Sequence, residues 1–596
     1  MNYLIVMPRF IQGQKDNYIF PLGIAYVSAS LKQVCDTVFC LNLNTHFGDI
    51  DDEIRNAIVD NDIDVIATGG LSPNFNQIRR IVKVSKQTNP DIITMVGGGL
   101  VTATPEVIMR GIPELDIGMI AEGEKTIQEL HHAITENLDF STVKGIVFRK
   151  ADGTIERTPA REDIEDLDSL PFPDYDGFEF AGSEEISICT SRSCPFSCSF
   201  CFHTCGKKYR ARSLDNIFKE IDWLKQKYDV KALGILDELF SINNERMHDF
   251  CERIKPYGIK WSCQMRVDRI NLDTLVEMKE AGCTALSYGI ESADNRVLES
   301  MEKHTTIEQV EKALDLSRRA GICPFGNLLI GDIADDKESF EKDLEWYTSH
   351  PDIQLGFNKV LVLPGSKLYK YAVKNGIIKD EVKYLEEENY AINLTRMGDE
   401  EYKKCLSIMD DVVARREYRL DDIAIKKTDR QNHFIGVGKC PLCGETIKIK
   451  TKDFLGTKNA SCPNCGRVYA ISLLRVMKSR MEKIISTKWK GKKVLIWGMG
   501  EEGYRFVYHC DYANNNNVYL ADKNDNKCRK VEGKLVQHPE AVFQNTDIDL
   551  ILIGTNAPVA NNAIKKEAER LSPKNKAIYN LNDYLNMIAI TDVENN

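Results

Sequence analysis

Short apolar runs alternate with amphipathic stretches of helical period along the first 140 residues. Such runs, bounded by polar residues and glycine, are typical of buried strands. Separations of about 20–30 residues leave room for a crossover helix between runs, which predicts a doubly wound parallel sheet over 1–140. The runs are YLIVM (3–7), TVFCLNL (37–43), DVIATGG (64–70), IITMVGG (92–98) and IGMI (117–120).

The segment 141–183 interrupts this alternation. GIVFRKADGTIER predicts a β-hairpin turning at Asp152-Gly153, because Asp-Gly favours the tight turns that join two strands. The acidic, proline-bearing stretch IEDLDSLPFPDYDGF that follows is typical of a linker between domains.

The alternation of strand and helix patterns resumes over 184–400. Six strand-like runs occur here, each followed by a helical stretch, and six β/α units predict a partial (β/α)6 barrel. The functional side chains of such a barrel lie at the carboxyl ends of its strands. The runs are ISICTS, ALGILDELF, KWSCQMRVD, ALSYGIES, FGNLLIG and GFNKVLVLP.

The last third of the chain divides into smaller pieces. Residues 401–435 predict a helix and a charged connector, 436–472 a small zinc ribbon, and 473–490 a basic helix. VLIWGMGEEG then opens a strand–turn–helix unit, which predicts a Rossmann-like α/β domain over 491–590. The expected fold class is therefore α/β throughout, apart from the ribbon.

Composition places the chain among ordinary globular proteins. It has 596 residues, 43% apolar and 28% charged, which fits three to five domains without a membrane-spanning run or an N-terminal signal peptide. A cytoplasmic location is expected. Eighteen cysteines are too thinly spread for a disulfide scaffold, and clustered thiols in a reducing compartment indicate metal or redox chemistry.

Five cysteines fall within the seventeen residues CTSRSCPFSCSFCFHTC. Cys194, Cys198 and Cys201 form CxxxCxxC directly after a predicted strand. Four thiolates would suit a closed zinc site or a fully ligated cluster, whereas three on one loop leave one iron of a 4Fe-4S cluster open. Cys189 and Cys205 lie outside the spacing and are expected to be ordinary thiols, or, for Cys205 above all, to lie near a substrate.

CxxxCxxC with Phe200 before its last cysteine resembles the signature of radical S-adenosylmethionine (SAM) enzymes. Later stretches, in the usual order and spacing, resemble the subfamily with an N-terminal cobalamin-binding-like domain. The resemblance implies that the open iron chelates SAM, and that an electron from the cluster cleaves it to a 5′-deoxyadenosyl radical. These stretches are YRARSLDNIFKEI, LGILDELF, WSCQMRVDRIN, YGIESADNRVLESMEKHTT, AGICPFGNLLIGD and LVLPGSKLY.

The same resemblance implies further residues around SAM. Glu291 and Ser292, ending the fourth strand, would contact its ribose and methionine parts, and Asp237 and Glu238, after the second, its amino group. Arg266 ends the third strand and is expected to pair with the methionine carboxylate, since a guanidinium fork matches a carboxylate. The alternative for each charged residue is a surface or interdomain salt bridge.

The N-terminal domain, including VGGGLVTATPEVI and AEGEKT, resembles the cobalamin-binding domain of the same subfamily. Its ligand is expected at Gly69–Asn74, with Ser72, and at Gly97–Thr104, with Gly98 and Gly99, where small residues admit a flat corrin. The loop after the first strand has no histidine, and His46 is expected to be an ordinary loop residue. Cobalamin would then bind without a protein imidazole; loss of cobalamin binding is the alternative.

Two further sites are predicted in the last third. Cys440, Cys443, Cys462 and Cys465 form CxxC-x18-CxxC, the spacing of a structural zinc site with four thiolates. Gly498, Gly500 and Gly503 form GxGxxG, and Asp522 follows the next strand, which favours a nucleotide or nucleotide-sugar site. Glu501 and Glu502 would repel a phosphate, so a structural or docking domain is the alternative.

Charge and motifs together define the functional hypotheses. The net charge of −11 argues against general nucleic-acid binding, although residues 439–493 carry 14 basic and 3 acidic residues. The leading hypothesis is a radical SAM enzyme that abstracts hydrogen from an unactivated carbon and, with cobalamin, transfers a methyl group, supported by a flavodoxin or ferredoxin as electron donor. The alternatives are radical modification of a nucleotide-linked sugar or metabolite without cobalamin, and a non-catalytic cobalamin or redox sensor that binds nucleic acid.

Overall fold

A computed structural model describes most of the chain as two compact units, 1–406 and 407–596. Within the described residues, no helix combines the length and the apolar character needed to cross a membrane. The residues outside the description are 11–18, 47, 181–184, 229, 241–242, 351–352, 416–419, 421–422, 428–433, 442–443, 452–456, 465–467, 525–526, 529, 532, 556–557, 572–575 and 595–596.

The first unit opens with a seven-stranded sheet in the order β2-β1-β3-β4-β5-β6-β7. Strands β1 to β5 are parallel, and β6 and β7 add an antiparallel hairpin at one edge. The elements are β1 Tyr3–Met7, α1 Leu22–Leu31, β2 Val38–Asn42, α2 Ile50–Asp60, β3 Val65–Gly69, α3 Phe75–Thr88, β4 Ile93–Gly97, α4 Gly99–Ala103, α5 Pro105–Gly111, β5 Ile117–Met119, α6 Gly123–Thr135, β6 Ile146–Arg149 and β7 Ile155–Arg157.

This sheet matches the predicted parallel α/β arrangement. Every residue of β1 is buried, because helices cover both faces of a doubly wound sheet. The chain reverses direction across the sheet between β1 and β3, since β2 lies on one side of β1 and β3 on the other. Ligands bind such sheets at the carboxyl edge beside this reversal.

A second sheet of six strands follows in the first unit, in the order β15-β14-β13-β12-β11-β8. All six are parallel and appear in chain order, and each overlaps one of the six predicted runs. The elements are β8 Glu185–Ile188, β9 Ser191–Arg192, β10 Arg210–Ala211, α7 Leu214–Lys227, β11 Ala232–Ile235, α8 Asn244–Ile254, β12 Lys260–Met265, α9 Leu272–Glu280, β13 Cys283–Glu291, α10 Asn295–Ser300, α11 Ile307–Ala320, β14 Cys323–Ile330, α12 Lys337–Ser349, β15 Gln354–Lys359, α13 Lys367–Lys374, α14 Glu381–Glu387 and, across the boundary of the units, α15 Asp399–Arg415.

Local sequence explains where the helices around this sheet begin and end. Ser213 caps α7 and Asn271 caps α9, each through a side-chain oxygen that accepts a backbone N–H of the first turn. Thr306 and Gln309 form a reciprocal capping box on α11, which ends at Gly321 in the left-handed conformation. These capping residues set where α7, α9 and α11 begin and where α11 ends.

The predicted linker packs between the two sheets of the first unit. Tyr175 is fully buried, stacks on Phe20 and donates its hydroxyl to the Ser187 carbonyl at 2.8 Å. Asn42, at the end of β2, donates to the Phe178 carbonyl at 2.8 Å. The linker is therefore an ordered part of the first unit.

The second unit holds three small sheets: β16-β17-β18, β19-β20 and β23-β24-β22-β21-β25-β26. Strand β16 lies in the segment predicted as a connector, where it pairs with β17. The elements are β16 Ile423–Lys427, β17 Phe434–Lys439, β18 Thr446–Thr451, β19 Thr457–Ser461, β20 Val468–Ser472, α16 Leu473–Val476, α17 Lys478–Lys488, β21 Val494–Trp497, α18 Glu501–His509, β22 Val518–Ala521, β23 Lys530–Val531, β24 Lys534–Gln537, α19 Pro539–Asn545, β25 Leu550–Ile553, α20 Pro558–Leu571, β26 Ala577–Asn580 and α21 Leu581–Glu594.

Candidate active site

The three clustered cysteines lie on one loop at the carboxyl end of β8. A two-residue ribbon, in which Arg192 of β9 pairs with Arg210 of β10, closes the base of this loop. We call residues 193–209 the cysteine loop. Ser193 donates its hydroxyl to the Cys205 carbonyl at 2.6 Å, so the two ends of the loop are also joined above the ribbon.

The middle of the cysteine loop is bound to the carboxyl side of the six-stranded sheet. The Ser199 N–H donates to the Met301 carbonyl at 2.9 Å, and the Leu368 N–H donates to the Ser199 carbonyl at 3.1 Å. Phe200 packs against the core cluster that contains Met301 and Leu368. The Phe200 side chain therefore holds the loop in place by packing.

Electrostatics around the cysteine sulfurs is unfavourable to free thiolates. Loss of hydration raises the pKa of Cys194, Cys198 and Cys201, and the Glu238 carboxylate adds to the rise at Cys194 and Cys201. A bound cation reverses this balance, because metal ligation deprotonates thiols. The three thiols act on one another's pKa values, so they lie near each other, although among the described residues no three His, Cys, Asp or Glu side chains are drawn together tightly enough to form a metal site as they stand. By their chemistry, three thiols on a single loop fit the donor set of an iron–sulfur cluster with one open iron.

Glu238 lies beside the cysteines, as predicted, and has a partner that the sequence analysis missed. The Nδ1 atom of His203 lies 3.1 Å from its Oε2, and this hydrogen bond raises the pKa of His203. His203 is largely buried, whereas Glu238 is about one-third exposed. Glu238 thus keeps an accessible carboxylate next to the thiols, where an ammonium group would be stabilised.

Arg266 lies at the end of β12, as predicted, but its guanidinium has a carboxylate partner within the protein. It donates to both oxygens of Asp268, at 2.9 and 3.2 Å, and to the Lys303 carbonyl at 3.1 Å. Its Cζ atom also lies 3.7 Å from the centre of the Phe196 ring, a cation–π contact inside the cysteine loop. This salt bridge is local and nearly buried, so it is neither the predicted SAM contact nor a surface or interdomain pair. A contact of Arg266 with SAM stays a prediction.

Glu291 ends β13 in the left-handed region, with φ of 67°, and its carboxylate accepts from Lys303 at 2.7 Å. Both side chains are nearly buried. They cross directly over Gly289, where an added Cβ would lie 2.2 Å from Lys303 Nζ and 2.4 Å from Glu291 Oε1. The ammonium of Lys303 also acts on the Cys198 thiol, lowering its pKa against the loss of hydration. Lys303 is the main residue of this site that sequence reasoning did not single out.

Asp237 and Ser292 lie at the predicted strand ends, but their side chains bond within the protein. Asp237 is buried and accepts the N–H and hydroxyl of Thr190 and the hydroxyl of Ser191. The Ser292 hydroxyl donates to Asp343 at 2.9 Å. Both residues stabilise the carboxyl edge of the sheet, and a contact with SAM stays a prediction for them.

Cys189 and Cys205 do not join the three clustered thiols. Cys189 donates to the Ser191 carbonyl at 3.0 Å at the end of β8. Cys205 lies near Arg192, whose charge opposes the rise that burial causes in the pKa of the Cys205 thiol. These are contacts that an ordinary thiol makes, and a role near the substrate stays a prediction, above all for Cys205.

The glycine-rich edge of the first sheet faces the cysteine loop. An added Cβ on Gly99 would lie 2.6 Å from Leu71 Cδ2 and 2.9 Å from Thr204 Cγ2. Gly98 has φ of 82°, and an added Cβ there would lie 2.8 Å from the Gly70 carbonyl. Only glycine permits this packing, and it brings the two predicted corrin loops, Gly69–Asn74 and Gly97–Thr104, against the residues that follow Cys201.

This edge suits a flat, largely apolar ligand without a protein imidazole. Leu71 is 52% exposed there, although leucine is usually buried. Ser72 itself is buried, and its carbonyl accepts from Tyr390 at 2.7 Å, so its side chain is not at the surface. His46 lies after β2 with its ring against Glu53, as expected of a loop residue. The residues present therefore fit a corrin bound without a histidine ligand.

The predicted sites of the second unit are only partly described. Cys440 and Cys462 are buried in one core cluster, with Cys440 Sγ 3.0 Å from the Tyr469 hydroxyl; Cys443 and Cys465 lie outside the described residues. Gly498, Gly500 and Gly503 pack against one another and Gly554 at the end of β21.

Asp522 stands where the glycine motif predicts it, at the end of β22. Its Oδ2 atom accepts the Met499 N–H at 2.7 Å and its Oδ1 atom the Asn524 N–H at 2.8 Å. The Met499 N–H belongs to the turn in which a phosphate would bind. The Asp522 carboxylate thus occupies this electropositive turn.

The fold and the site together define a class of enzyme. Its members carry three cysteines on one loop at the carboxyl edge of a parallel sheet, and this loop faces the ligand-binding edge of a second parallel sheet. The model of the Radical SAM superfamily matches residues 188–347, and that of the B12 binding domain matches 10–131. A Pyrococcus horikoshii protein described as an uncharacterized methyltransferase is 30% identical over 370 residues, covering 60% of this chain and 79% of that protein. The chain belongs to this family of radical SAM enzymes with an N-terminal B12 binding domain, and the enzyme prediction is confirmed.

Other relatives and solved structures are more distant. The anaerobic magnesium-protoporphyrin IX monomethyl ester cyclase of Rubrivivax gelatinosus is 28% identical over 362 residues, and the chain spans 64% of its length. The structure of the radical SAM methyltransferase TsrM from Kitasatospora setae, with cobalamin and a 4Fe-4S cluster, superposes with a TM-score of 0.55 at 16% identity, covering 63% of this chain and 75% of that chain. The cobalamin-dependent radical SAM enzyme OxsB superposes with a TM-score of 0.52 at 17% identity, covering 82% and 67%. These structures show a shared fold.

Proposed function

We propose that the protein transfers a methyl group to an unactivated carbon of its substrate in a cobalamin-dependent radical SAM reaction. The observation that carries the proposal is the packing of Thr204, three residues beyond Cys201, against Gly99 of the corrin edge. When bound, the cluster supplies the electron that cleaves SAM to a hydrogen-abstracting radical, and cobalamin supplies the methyl group. Because the cysteine loop packs against the corrin edge, the cluster and cobalamin would lie side by side.

The protein's own residues hold the reactants and exclude water. Cys194, Cys198 and Cys201 hold the cluster. Glu238 offers its partly exposed carboxylate to the methionine amino group. Glu291, whose carboxylate is fixed by Lys303, offers its backbone at the end of β13 to the rest of SAM. Leu71 covers the corrin face with apolar surface, which keeps the site dry.

Anaerobic reconstitution of the full chain with iron and sulfide tests this function. We expect 5′-deoxyadenosine from SAM and dithionite, and transfer of deuterated methyl from labelled SAM to added cobalamin, read by mass spectrometry. Cys198→Ala should abolish both products, whereas Cys251→Ala, at a buried thiol away from the loop, should retain them. A fully loaded cluster that releases no 5′-deoxyadenosine would overturn the proposal, and 5′-deoxyadenosine without methyl transfer would leave radical chemistry without cobalamin.

The second unit is proposed to combine a structural zinc ribbon with a Rossmann-like domain that serves structure or docking. Burial of Cys440 and Cys462 together beside Tyr469 supports the ribbon, since closed zinc sites are buried. In the final sheet, β24-β22-β21-β25-β26 follows the 3-2-1-4-5 order of Rossmann sheets. The bonds of Asp522 within its own turn favour the docking role over nucleotide binding.

Electron supply is proposed to come from a small acidic redox protein such as a flavodoxin or ferredoxin. Radical SAM enzymes need a one-electron reductant, which the chain itself does not supply. Spectroscopic reduction of the cluster by a reduced flavodoxin, in place of dithionite, tests this supply; a cluster that stays oxidised would exclude that donor.

A further inference from the structure

Two arginines face each other at the base of the cysteine loop. Arg192 and Arg210 are directly paired residues of the β9–β10 ribbon, and both side chains are buried. Like charges opposite one another on adjacent strands are destabilising, and burial strengthens the repulsion because water no longer screens it. The ribbon therefore needs a compensating negative charge to stay closed.

Glu122 supplies that charge and bridges both arginines. Its Oε1 atom accepts from Arg192 Nη1 at 2.6 Å, and its Oε2 atom accepts from Arg210 Nη1 at 2.7 Å and from the Ile164 N–H at 2.8 Å. Glu124 accepts from Arg192 Nη2 at 2.5 Å. Two buried carboxylates thus balance two buried guanidinium groups.

The carboxylate of Glu122 is held in its charged form. Burial alone would raise the pKa of Glu122, but the Arg210 and Arg192 guanidinium groups and the Ile164 N–H outweigh burial and lower it. Arg210 also donates to the Cys205 carbonyl at 2.7 Å, the same oxygen that accepts from Ser193. The charge on Glu122 is thereby connected to both ends of the cysteine loop.

The two carboxylates and the two arginines come from different domains. Glu122 and Glu124 lie at the N-terminus of α6 in the segment matched by the B12 binding domain, whereas Arg192 and Arg210 lie in the Radical SAM segment. Arg192 also lies 5.2 Å from the ring centre of Tyr26 in α1. The corrin-binding domain therefore closes the base of the loop that carries the cysteines.

We propose that Glu122 is a positioning residue for the cluster: it closes the Arg192–Arg210 ribbon and so fixes the cysteine loop against the corrin edge. The inference rests on the proposed function in one respect, since the loop is taken to hold the cluster. It goes beyond the proposed function because it assigns the positioning of the cysteine loop to Glu122, a residue of the B12 binding domain.

Hydrogen–deuterium exchange on the reconstituted full chain tests the inference independently of turnover. In Glu122→Gln, which keeps the shape but removes the charge, amides of residues 193–209 should exchange about a hundredfold faster, as expected when a buried ion pair loses one partner. Glu129→Gln is the matched control, because it makes the same change on α6 and breaks only the more exposed pair with Arg161. Unchanged exchange of the loop in Glu122→Gln would overturn the inference.

A second variant shows whether charge is the cause. In Glu122→Gln/Arg210→Gln, one cation is removed along with the anion, so Arg192 and Glu124 remain balanced. The loop amides of the double variant should then exchange at least about tenfold more slowly than those of Glu122→Gln. If the double variant exchanges as fast as the sum of the single variants predicts, charge balance is excluded. Glu122→Asp, which keeps the charge, should stay close to wild type and covers the case in which Glu122→Gln does not fold.

The cluster itself gives a readout that general destabilisation does not move. Glu122→Gln should bind its full complement of iron, yet the change that SAM causes in the EPR signal of the reduced cluster should be lost. An unaltered SAM-dependent signal in the variant would refute positioning of the cluster. The two proposals can fail separately. If the wild-type protein cleaves no SAM, the proposed function is refuted. If Glu122→Gln still speeds exchange of the loop amides in that case, the role of Glu122 in closing the loop stands.

Discussion

The carboxylate of Asp237 accepts three hydrogen bonds from Thr190 and Ser191 at 2.5–2.7 Å, and the side chain is almost fully buried. Burial nevertheless raises its pKa to about 6. Between the ordinary pKa of an aspartate, about 4, and about 6, the folded protein binds a proton that the unfolded chain has released. Asp237 therefore makes the folded state less stable as the pH rises through this window.

Replacing this carboxyl by an amide should remove that pH dependence. Wild type should lose about 2 kcal/mol more stability than Asp237→Asn between pH 4 and pH 7, because two pKa units correspond to about 2.7 kcal/mol and most of that change falls inside this window. Thermal unfolding of the first unit at the two pH values checks this difference. Asp52→Asn, at an exposed position, serves as the control and should follow wild type. Equal pH profiles for wild type and Asp237→Asn would contradict the assignment.

Lys303 is the buried partner on which Glu291 depends. Lys303→Met should destabilise the first unit by about 3–5 kcal/mol, because it leaves the Glu291 carboxylate buried without its cation. Urea unfolding measures the loss, and Glu291→Gln/Lys303→Met should recover part of it. Lys367→Met breaks the exposed pair with Glu302 and should cost no more than about 1 kcal/mol. A loss of that small size in Lys303→Met would show that the pair contributes little.

The contrast among these residues shows what the sequence alone can predict. Cys194, Cys198 and Cys201 could be identified because their spacing along the chain is enough to place three thiol ligands on one loop. Lys303 meets Glu291 from 12 residues away, and His203 meets Glu238 from 35. Such pairings depend on how strand ends converge, and no local pattern encodes them. For the same reason, the sequence could not reveal that Asp237 and Arg266 bond within the protein.

The cysteine loop is confined by glycines of two flanking segments. Gly365, in the turn before α13, has φ of 90°, and an added Cβ there would lie 2.3 Å from the Phe202 ring. On the other side, an added Cβ on Gly99 would lie 3.9 Å from the same ring. Phe202 therefore lies between the corrin edge and the turn of Gly365, and the loop has little room to move.

Adding one methyl group at Gly365 should displace the loop. Gly365→Ala should lower the rate of 5′-deoxyadenosine formation at least about tenfold, because the Phe202 ring must shift. Gly376→Ala is the matched control: its φ of 68° imposes a similar backbone strain, but an added Cβ there meets nothing within 4 Å. Rates are compared per cluster, after iron analysis. Equal rates in the two variants would show that the contact with Phe202 does not matter.

The same comparison can be made for whole strands and helices. The apolar runs overlap all eleven parallel strands that the structure describes in the first unit, since the inner strands of such sheets are largely buried. Strand β16, IAIKK, was missed because charged residues surround its short alternating pattern. The β9–β10 ribbon is two residues long on each side, which is too short for any periodicity, and only the ion pairs of Arg192 and Arg210 define it.

At the level of the whole chain, the two compact units predict separable unfolding. The second unit should lose stability on its own when a ligand of the proposed zinc ribbon is changed. Cys462→Ala should release the one zinc ion per chain that the ribbon predicts and should unfold this unit at lower temperature, with the transition of the first unit unchanged. Metal analysis and calorimetry measure the two effects. Cys510→Ala, another buried thiol of the second unit, should keep the zinc. Zinc retained in Cys462→Ala would contradict the ribbon.

The attachments of the cysteine loop also set an order of events during synthesis of the protein. Glu122 is made about 70 residues before the cysteines, whereas Met301, Gly365 and Leu368 emerge from the ribosome about 100–170 residues after them. Until then the three thiols belong to a loop without most of its supports. Because contacts between distant residues form last, the cluster can be loaded into its final geometry only when nearly the whole first unit has been translated. We therefore expect the cluster to be loaded late in synthesis or after it, into a first unit that has already folded around the loop.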